Sequence, residues 1–382
     1  MSRPTLWCLL LLAHVAVVPW SSRALEAQSP GERTPDDSAA LRRLHATLEF
    51  VRGRNARDYA IPTPAGIDEG RFVRLGGIEQ WITVRGEDRR NPVILFLHGG
   101  PGDASNLYSY PVFRSWLRTF TVVQWDQRGA GRTLQRNGPG IASTITVDRL
   151  VKDGVELAAW LRDSLRQEKV IVVGHSWGSI LGAMMAKRRP ALFHAFVGTG
   201  QVADPGRNYA VAYDDVLAAA QRRGEGAAVR ELREVGAPPW RDGRGFAVQR
   251  KWSNMLEGAD TFLGAMIGLA LGAPGGSARD VTDWLDGQGV SAERLVPETS
   301  ALSPAAIGGA FEVPVVVIQG EEDFTTPTRL ARDWVDSLRA PRKAFVTLAG
   351  AGHFALFMQP TAFLRALTEQ LVPVVPSLSR PR

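Results

Sequence analysis

The chain has 382 residues, 45% of them hydrophobic and 22% charged, which excludes a disordered, collagen-like or coiled-coil protein and leaves room for about two domains. Cys8 is the only cysteine, so no disulfide framework exists, and none of the six histidines has another His or Cys at the spacing of a local zinc site. The 45 basic against 39 acidic residues give a net charge of +6, but the pairs Arg42-Arg43, Arg89-Arg90, Arg188-Arg189 and Arg222-Arg223 lie far apart with acids between them. This reads as a solvated mixed surface and excludes a nucleic-acid-binding face.

Residues 1–24 read as a secretory signal: Arg3, an apolar stretch over 6–18 closed by Pro19, then the small-x-small pattern Ser22-Arg23-Ala24. The stretch falls short of the about 20 apolar residues that span a bilayer. The expectation is export to the periplasm or the exterior, with no stable membrane insertion after cleavage. Residues 25–70 form a leader, polar around Pro30, Gly31 and Pro35, with an amphipathic helix over 38–54 on which Leu41, Leu44, Leu48 and Val51 recur at helical spacing.

From Phe72 the rhythm changes to short β-rich runs, predicting strands at 71–75, 79–85, 93–97, 120–124, 169–173, 194–199, 313–319 and 343–348. The runs VILFL, VIVV and VPVVVIQ are continuously apolar, as strands buried on both faces must be. The fold class is α/β, a mostly parallel central sheet flanked by helices, with its core over 71–200 and 311–372. Over 201–310 the strand signal vanishes and helical patterns at 211–223, 226–235 and 261–271 mark an inserted cap. The last of these is apolar nearly all round and is expected to be buried. A final helix over 355–371 precedes a Pro-rich tail, 373–382.

The chemistry sits where strand gives way to helix. In VIVVGHSWGSILGAMMA, Gly174-His175-Ser176-Trp177-Gly178 has the context in which G-x-S-x-G forms a nucleophile elbow, a strained turn whose flanking positions must lack side chains. Ser176 then needs a base. His14 leaves with the signal, His45 sits on the leader helix, His98 belongs to a glycine loop, His175 points away from its neighbour's hydroxyl, and His194 opens a strand. That leaves His353, in the turn Ala349-Gly350-Ala351-Gly352 after the last strand. The orienting carboxylate is Asp323, just beyond PVVVIQ, with Asp204 as the competitor after the preceding strand. Negative charge on the attacked carbonyl oxygen needs donors, which the amides of Gly100, in His98-Gly99-Gly100-Pro101-Gly102, and of Trp177 are placed to supply.

HGGPG at 98–102, WDQRGAGRT at 125–133 and GHSWGS at 174–179, with Ser176, Asp323 and His353, resemble the α/β-hydrolase superfamily, and within it the proline iminopeptidase branch of serine peptidases. The resemblance implies an inserted helical cap and release of an N-terminal residue from short peptides, with cap carboxylates holding the substrate's ammonium. The expected activity is that of a serine hydrolase working through an acyl-enzyme, without a cofactor, on a short peptide or other small molecule. An ester or amide hydrolase uses the same machinery, and a ligand-binding protein on a hydrolase fold is the alternative outside catalysis.

Overall fold

In the computed structural model, which describes residues 35–240 and 243–378, eight strands join in one sheet. They are β1 (Ile67–Leu75), β2 (Ile78–Gly86), β3 (Val93–Leu97), β4 (Thr121–Trp125), β5 (Val170–His175), β6 (Phe193–Thr199), β7 (Val315–Gly320) and β8 (Lys343–Leu348). The export signal read over 1–24 lies outside the described residues, as does the end of the tail, 379–382. The order is β1-β2-β4-β3-β5-β6-β7-β8, antiparallel for β1 on β2 and β2 on β4, and parallel from β4 to β8. This is the α/β-hydrolase fold. β1 begins four residues earlier than the periodicity predicts, inside the segment read as leader, and turns into β2 through Gly76 and Gly77, both at positive φ. Such a two-residue turn needs residues without a Cβ penalty there.

Alternation in the apolar runs builds two cores. Val93, Leu95 and Leu97 of β3, Val170 and Val172 of β5, and Val315 and Val317 of β7 face one side. Helices Val147–Ser164, Trp177–Arg188 and Thr328–Ser337 cover that side. Ile94 and Phe96, Ile171 and Val173, and Val316 and Ile318 face the other, where helix Pro360–Leu371 buries Phe363, Leu367 and Leu371. Each buried side chain of this size contributes roughly 1.5–3 kcal/mol, so a charge at any of these positions would break the sheet's packing.

Between β6 and β7 the described chain is helical: Asn208–Arg223, Gly226–Val235, Gly243–Leu256, Asp260–Leu271 and Ala278–Ser300 are its main elements. The last starts at a capping box, Ser277 with Asp280, and continues through Pro297. Tyr213, Val216, Leu232, Trp252 and Leu256 form a separate small core, into which Phe324 from the loop after β7 inserts. Cap and sheet edge are thereby joined next to Asp323.

Two expectations need correction. The helix predicted over 355–371 is broken at Gln359, whose ψ of 55° is not helical, because Pro360 crowds the residue before it and has no amide hydrogen to donate. The apolar segment predicted over 261–271 is a helix, but among its residues only Ala270 is buried. One face, with Phe262, Met266 and Ile267, lies on the sheet's second core, while the positions of Gly264 and Gly268 open to space. Apolar composition all round did not enforce burial all round because the helix lies over the core instead of within it.

The N-terminal helix, Pro35–Asp58, is longer than its apolar spacing predicts and clasps the end of that cap helix. Arg52 Nε donates to the Leu271 carbonyl at 2.9 Å and Asn55 Nδ2 to the Gly272 carbonyl at 2.8 Å. Leu41 and Leu44 stay exposed. No helix among the described residues is long and apolar enough to cross a membrane.

Candidate active site

Ser176 stands between β5 and helix Trp177–Arg188 with φ 53° and ψ −122°, a conformation that costs a non-glycine residue about 1–3 kcal/mol. The glycines around it are demanded by close backbone approach. A Cβ on Gly174 would lie 2.3 Å from the Gly178 carbonyl oxygen, and one on Gly178 would lie 2.2 Å from that of Leu97. The turn is held by the Ser176 amide donating to the Thr199 carbonyl at 2.9 Å and by the Ser179 hydroxyl donating to the Ser176 carbonyl at 2.6 Å.

The loop after β8 brings His353 onto this serine. Its Nε2 is 3.0 Å from Ser176 Oγ, and its Nδ1 is 3.0 Å and 3.2 Å from the two oxygens of Asp323. Both side chains are almost wholly buried. Asp323 accepts from the amides of Thr325 and Thr326 on Oδ1, and from the Thr326 hydroxyl and Gln319 Nε2 on Oδ2, so its orientation is over-determined. Asp204 has no part in this group. It accepts from the Arg207 amide at the entry to helix Asn208–Arg223, with the Arg207 guanidinium 3.9 Å away.

The other described histidines stand apart from the serine hydroxyl. Burial, then the neighbouring His353, lowers the pKa of His175 to about 3. Its neutral ring lies 4.9 Å from that of His353, with Nε2 donating to the His353 carbonyl at 3.2 Å. His98 is also held neutral by burial, accepting from the Gln127 amide on Nε2 and donating from Nδ1 to the Gly99 carbonyl. His194 is half-buried at the start of β6, and His45 is exposed on the N-terminal helix.

Gly99 packs beside the elbow, where a Cβ on it would lie 3.2 Å from that of Ser176, and Gly100 follows in the same loop at φ +105°. The Trp177 amide opens its helix, and the indole is fixed by donation to Gln127 Oε1 at 3.0 Å. The WDQRGAGRT segment carried only the family resemblance in the sequence. In the structure it is the brace between these two loops, since Gln127 also donates from Nε2 to the His98 carbonyl. Arg128, buried, pairs with Asp153 at 2.7 Å and anchors the brace to the first hairpin through the Gly76 carbonyl.

Glu257 is the residue that sequence reasoning did not single out. It follows helix Gly243–Leu256 and was one acid among many in the cap. It is buried, accepting from the His353 amide at 2.7 Å on Oε2 and from the Phe324 amide at 2.9 Å on Oε1. Burial, reinforced by the Asp323 charge, pushes its pKa up to about 8. No spacing rule could have picked it out, because its partners are 67 and 96 residues away. Phe354 and Phe357 stand over His175 and His353, and Phe262 stacks on Phe357 at 5.3 Å. Among the described residues, no group of three or more His, Cys, Asp or Glu is arranged to hold a metal ion.

Chemically, the arrangement is a hydroxyl, an imidazole and a carboxylate in line beneath an apolar rim, with a second, mostly protonated carboxyl group beside them. Substituting Phe262 or Met266 with alanine is expected to reorder preference among acyl groups of different size. Initial rates on a substrate panel check this, and unchanged ranking with lowered stability would remove both side chains from the pocket.

A sequence profile of the alpha/beta hydrolase fold matches residues 92–235. The chain is 27% identical over 313 residues to the probable aminopeptidase YbaC of Bacillus subtilis, covering 81% of this chain and 98% of that protein. It is 36% identical over 125 residues to a probable proline iminopeptidase of Streptomyces coelicolor, 31% of this chain and 35% of that one. A solved structure, of a proline iminopeptidase-related protein from Thermus thermophilus, superposes with a TM-score of 0.59 at 23% identity, covering 81% of this chain and 99% of that one.

Proposed function

We propose that this chain, which belongs to the α/β-hydrolase superfamily and is a hydrolase, is a serine aminopeptidase that releases the N-terminal residue of short peptides. The observation that carries the reading is the 3.0 Å contact of His353 Nε2 with Ser176 Oγ, backed by Asp323 on Nδ1. Ser176 Oγ attacks the scissile carbonyl as His353 takes its proton. The oxygen, now negative, accepts from the amides of Gly100 and Trp177, and Asp323 stabilises the imidazolium. The C–N bond then breaks as His353 hands its proton to the leaving amine, leaving an acyl-enzyme. Water, deprotonated by the same imidazole, releases the acid and restores Ser176.

Glu257 supports the peptidase form of this reading. A substrate ammonium brought under the cap needs a carboxylate partner, and Glu257 is a buried cap acid that already touches the His353 loop. Its raised pKa sets a pH dependence. Below about 8 the free enzyme holds Glu257 neutral, so binding an ammonium releases a proton. Above about 8 the peptide's own amine, with a pKa of about 7.7–8.0, loses its charge. For peptides kcat/KM should therefore peak near pH 8 and fall on both sides. For a neutral ester the alkaline fall should be missing.

The test compares prolyl and alanyl aryl-amides with their N-acetylated forms. Acetylation removes the charge and leaves the buried acid unpaired, a loss of about 3–5 kcal/mol, or more than a hundredfold in kcat/KM. Glu257→Gln should cost free-amine substrates a similar factor beyond what it costs a neutral ester, which also loses activity because the glutamine NH2 cannot accept from the His353 or Phe324 amide that it meets. Equal loss on both would make Glu257 a support for His353 alone. Equal rates on free and acetylated amides, or activity confined to esters, would replace the aminopeptidase by an esterase.

Export is proposed on the pattern of residues 1–24 alone. N-terminal sequencing of the protein secreted by its native host should begin at Leu25.

A further inference from the structure

Helix Gly243–Leu256 turns one face toward the triad. Phe246 on that face packs edge-on against Tyr209 at 5.7 Å, and Glu257, at helical spacing just past the last turn, reaches the His353 amide. Arg250 lies between them, one turn after Phe246 and two turns before Glu257, and is partly buried. Its guanidinium makes no hydrogen bond and no ion pair with any described residue. The basic side chains flanking it are paired, Lys251 with Glu231 at 2.8 Å and Arg244 with Glu234.

The charge of Arg250 is nevertheless felt at the site. It opposes protonation of His175 and favours ionisation of both Glu257 and Tyr209, so it lies within electrostatic reach of all three. Glu257 does not consume that charge, because its carboxyl stays mostly protonated at neutral pH despite it. Asp323 does not either, since its two oxygens already accept four hydrogen bonds besides facing His353. A partly desolvated guanidinium with five donors and no partner among the described residues is an open site for a carboxylate, the planar group its fork fits.

We propose that Arg250 binds a carboxylate of the substrate, so that the preferred substrates are short peptides with a negative charge on the residue after the scissile bond, free dipeptides first among them. The inference rests on the aminopeptidase reading for the peptide, and on the structure alone for the anion. The dimensions agree. Arg250 and Glu257 are separated by seven residues, on the order of 10 Å along a helix. Two extended residues reach about 7 Å, and the long arginine side chain takes up the difference. Ammonium on Glu257 and carboxylate on Arg250 would then hold a dipeptide by both ends, with its one peptide bond at Ser176.

The experiment is a ratio of kcat/KM for alanyl-alanine against alanyl-alanine amide, measured on one preparation so that any inactive fraction cancels. The parent should favour the free acid by at least about tenfold, as expected for a charge-assisted pair, and the ratio should shrink as salt is raised. In Arg250→Gln it should fall to near one, and Arg250→Lys, which keeps the charge but not the fork, should retain part of it. A second pair, alanyl-aspartate amide against alanyl-asparagine amide, separates a side-chain carboxylate from the terminal one as the group recognised. A parent ratio near one in both pairs, or a preference that survives in Arg250→Gln, would overturn the proposal. If no peptide is cleaved at all, the aminopeptidase reading fails by itself. The same comparison, with a carboxylate-bearing aryl ester and its methyl ester, then decides Arg250, and a preference lost in Arg250→Gln upholds it.

Discussion

Ser176→Ala should lower kcat by at least about 10³-fold and abolish labelling by a fluorophosphonate probe. The covalent route disappears with the hydroxyl, leaving only what substrate binding and the proposed oxyanion donors contribute. The variant tests chemistry and not folding. Alanine has the same Cβ, so it inherits the strained φ of 53° without adding to it, and the packing of Gly99 against that Cβ is kept. Among the described residues Ser176 Oγ has a single hydrogen-bond partner, His353, so its removal exposes no other buried group of theirs. Labelling retained in Ser176→Ala, or a kcat within tenfold of the parent, would sink the assignment of the nucleophile.

Asp323→Asn should cost about 10⁴-fold in kcat, the scale on which a wrong imidazole tautomer is felt, while Asp204→Asn should stay close to the parent. The asymmetry follows from hydrogen-bond direction. Two backbone amides, of Thr325 and Thr326, donate to Oδ1 and require an acceptor there. The amide nitrogen of asparagine is therefore driven to the other position, where it meets Gln319 Nε2 and His353 Nδ1. To accept from it, Nδ1 must give up its proton, which moves to Nε2 and turns the base away from its task. Asp204 only caps a turn on the surface side of the cap entry. Steady-state kinetics on both variants decide it, and the opposite ranking would transfer the role to Asp204.

Much of this was legible because it is local. The strands could be read from the chain since VILFL, VIVV and VPVVVIQ have no polar position to turn toward water, and each now feeds both cores by alternation. The elbow could be read because Gly174 and Gly178 exclude every side chain at the two places where backbone presses on backbone. His353 followed by elimination among six candidates, which a sequence richer in histidine would not have allowed.

Other features were decided only when distant segments met. The sequence left Asp323 and Asp204 as competitors after successive strands, and the chain settles their geometry by bringing the loop after β8 onto one and not the other. The apolar segment at 261–271 carried no sign of which face would meet the second core and which would stay open. Glu257 and Arg250 were two charges in a cap full of them. One became a buried acid, its pKa raised by burial and by the Asp323 charge against the opposing effect of amides donated from 67 and 96 residues along the chain, and the other has no counter-ion among the described residues. Residue type and spacing set what a side chain can do within its own strand, turn or helix. Burial and electrostatic field come from neighbours that the linear order keeps apart, so the candidates Ser176 and His353 belong to the sequence, and the choice of Asp323 over Asp204 to the folded chain.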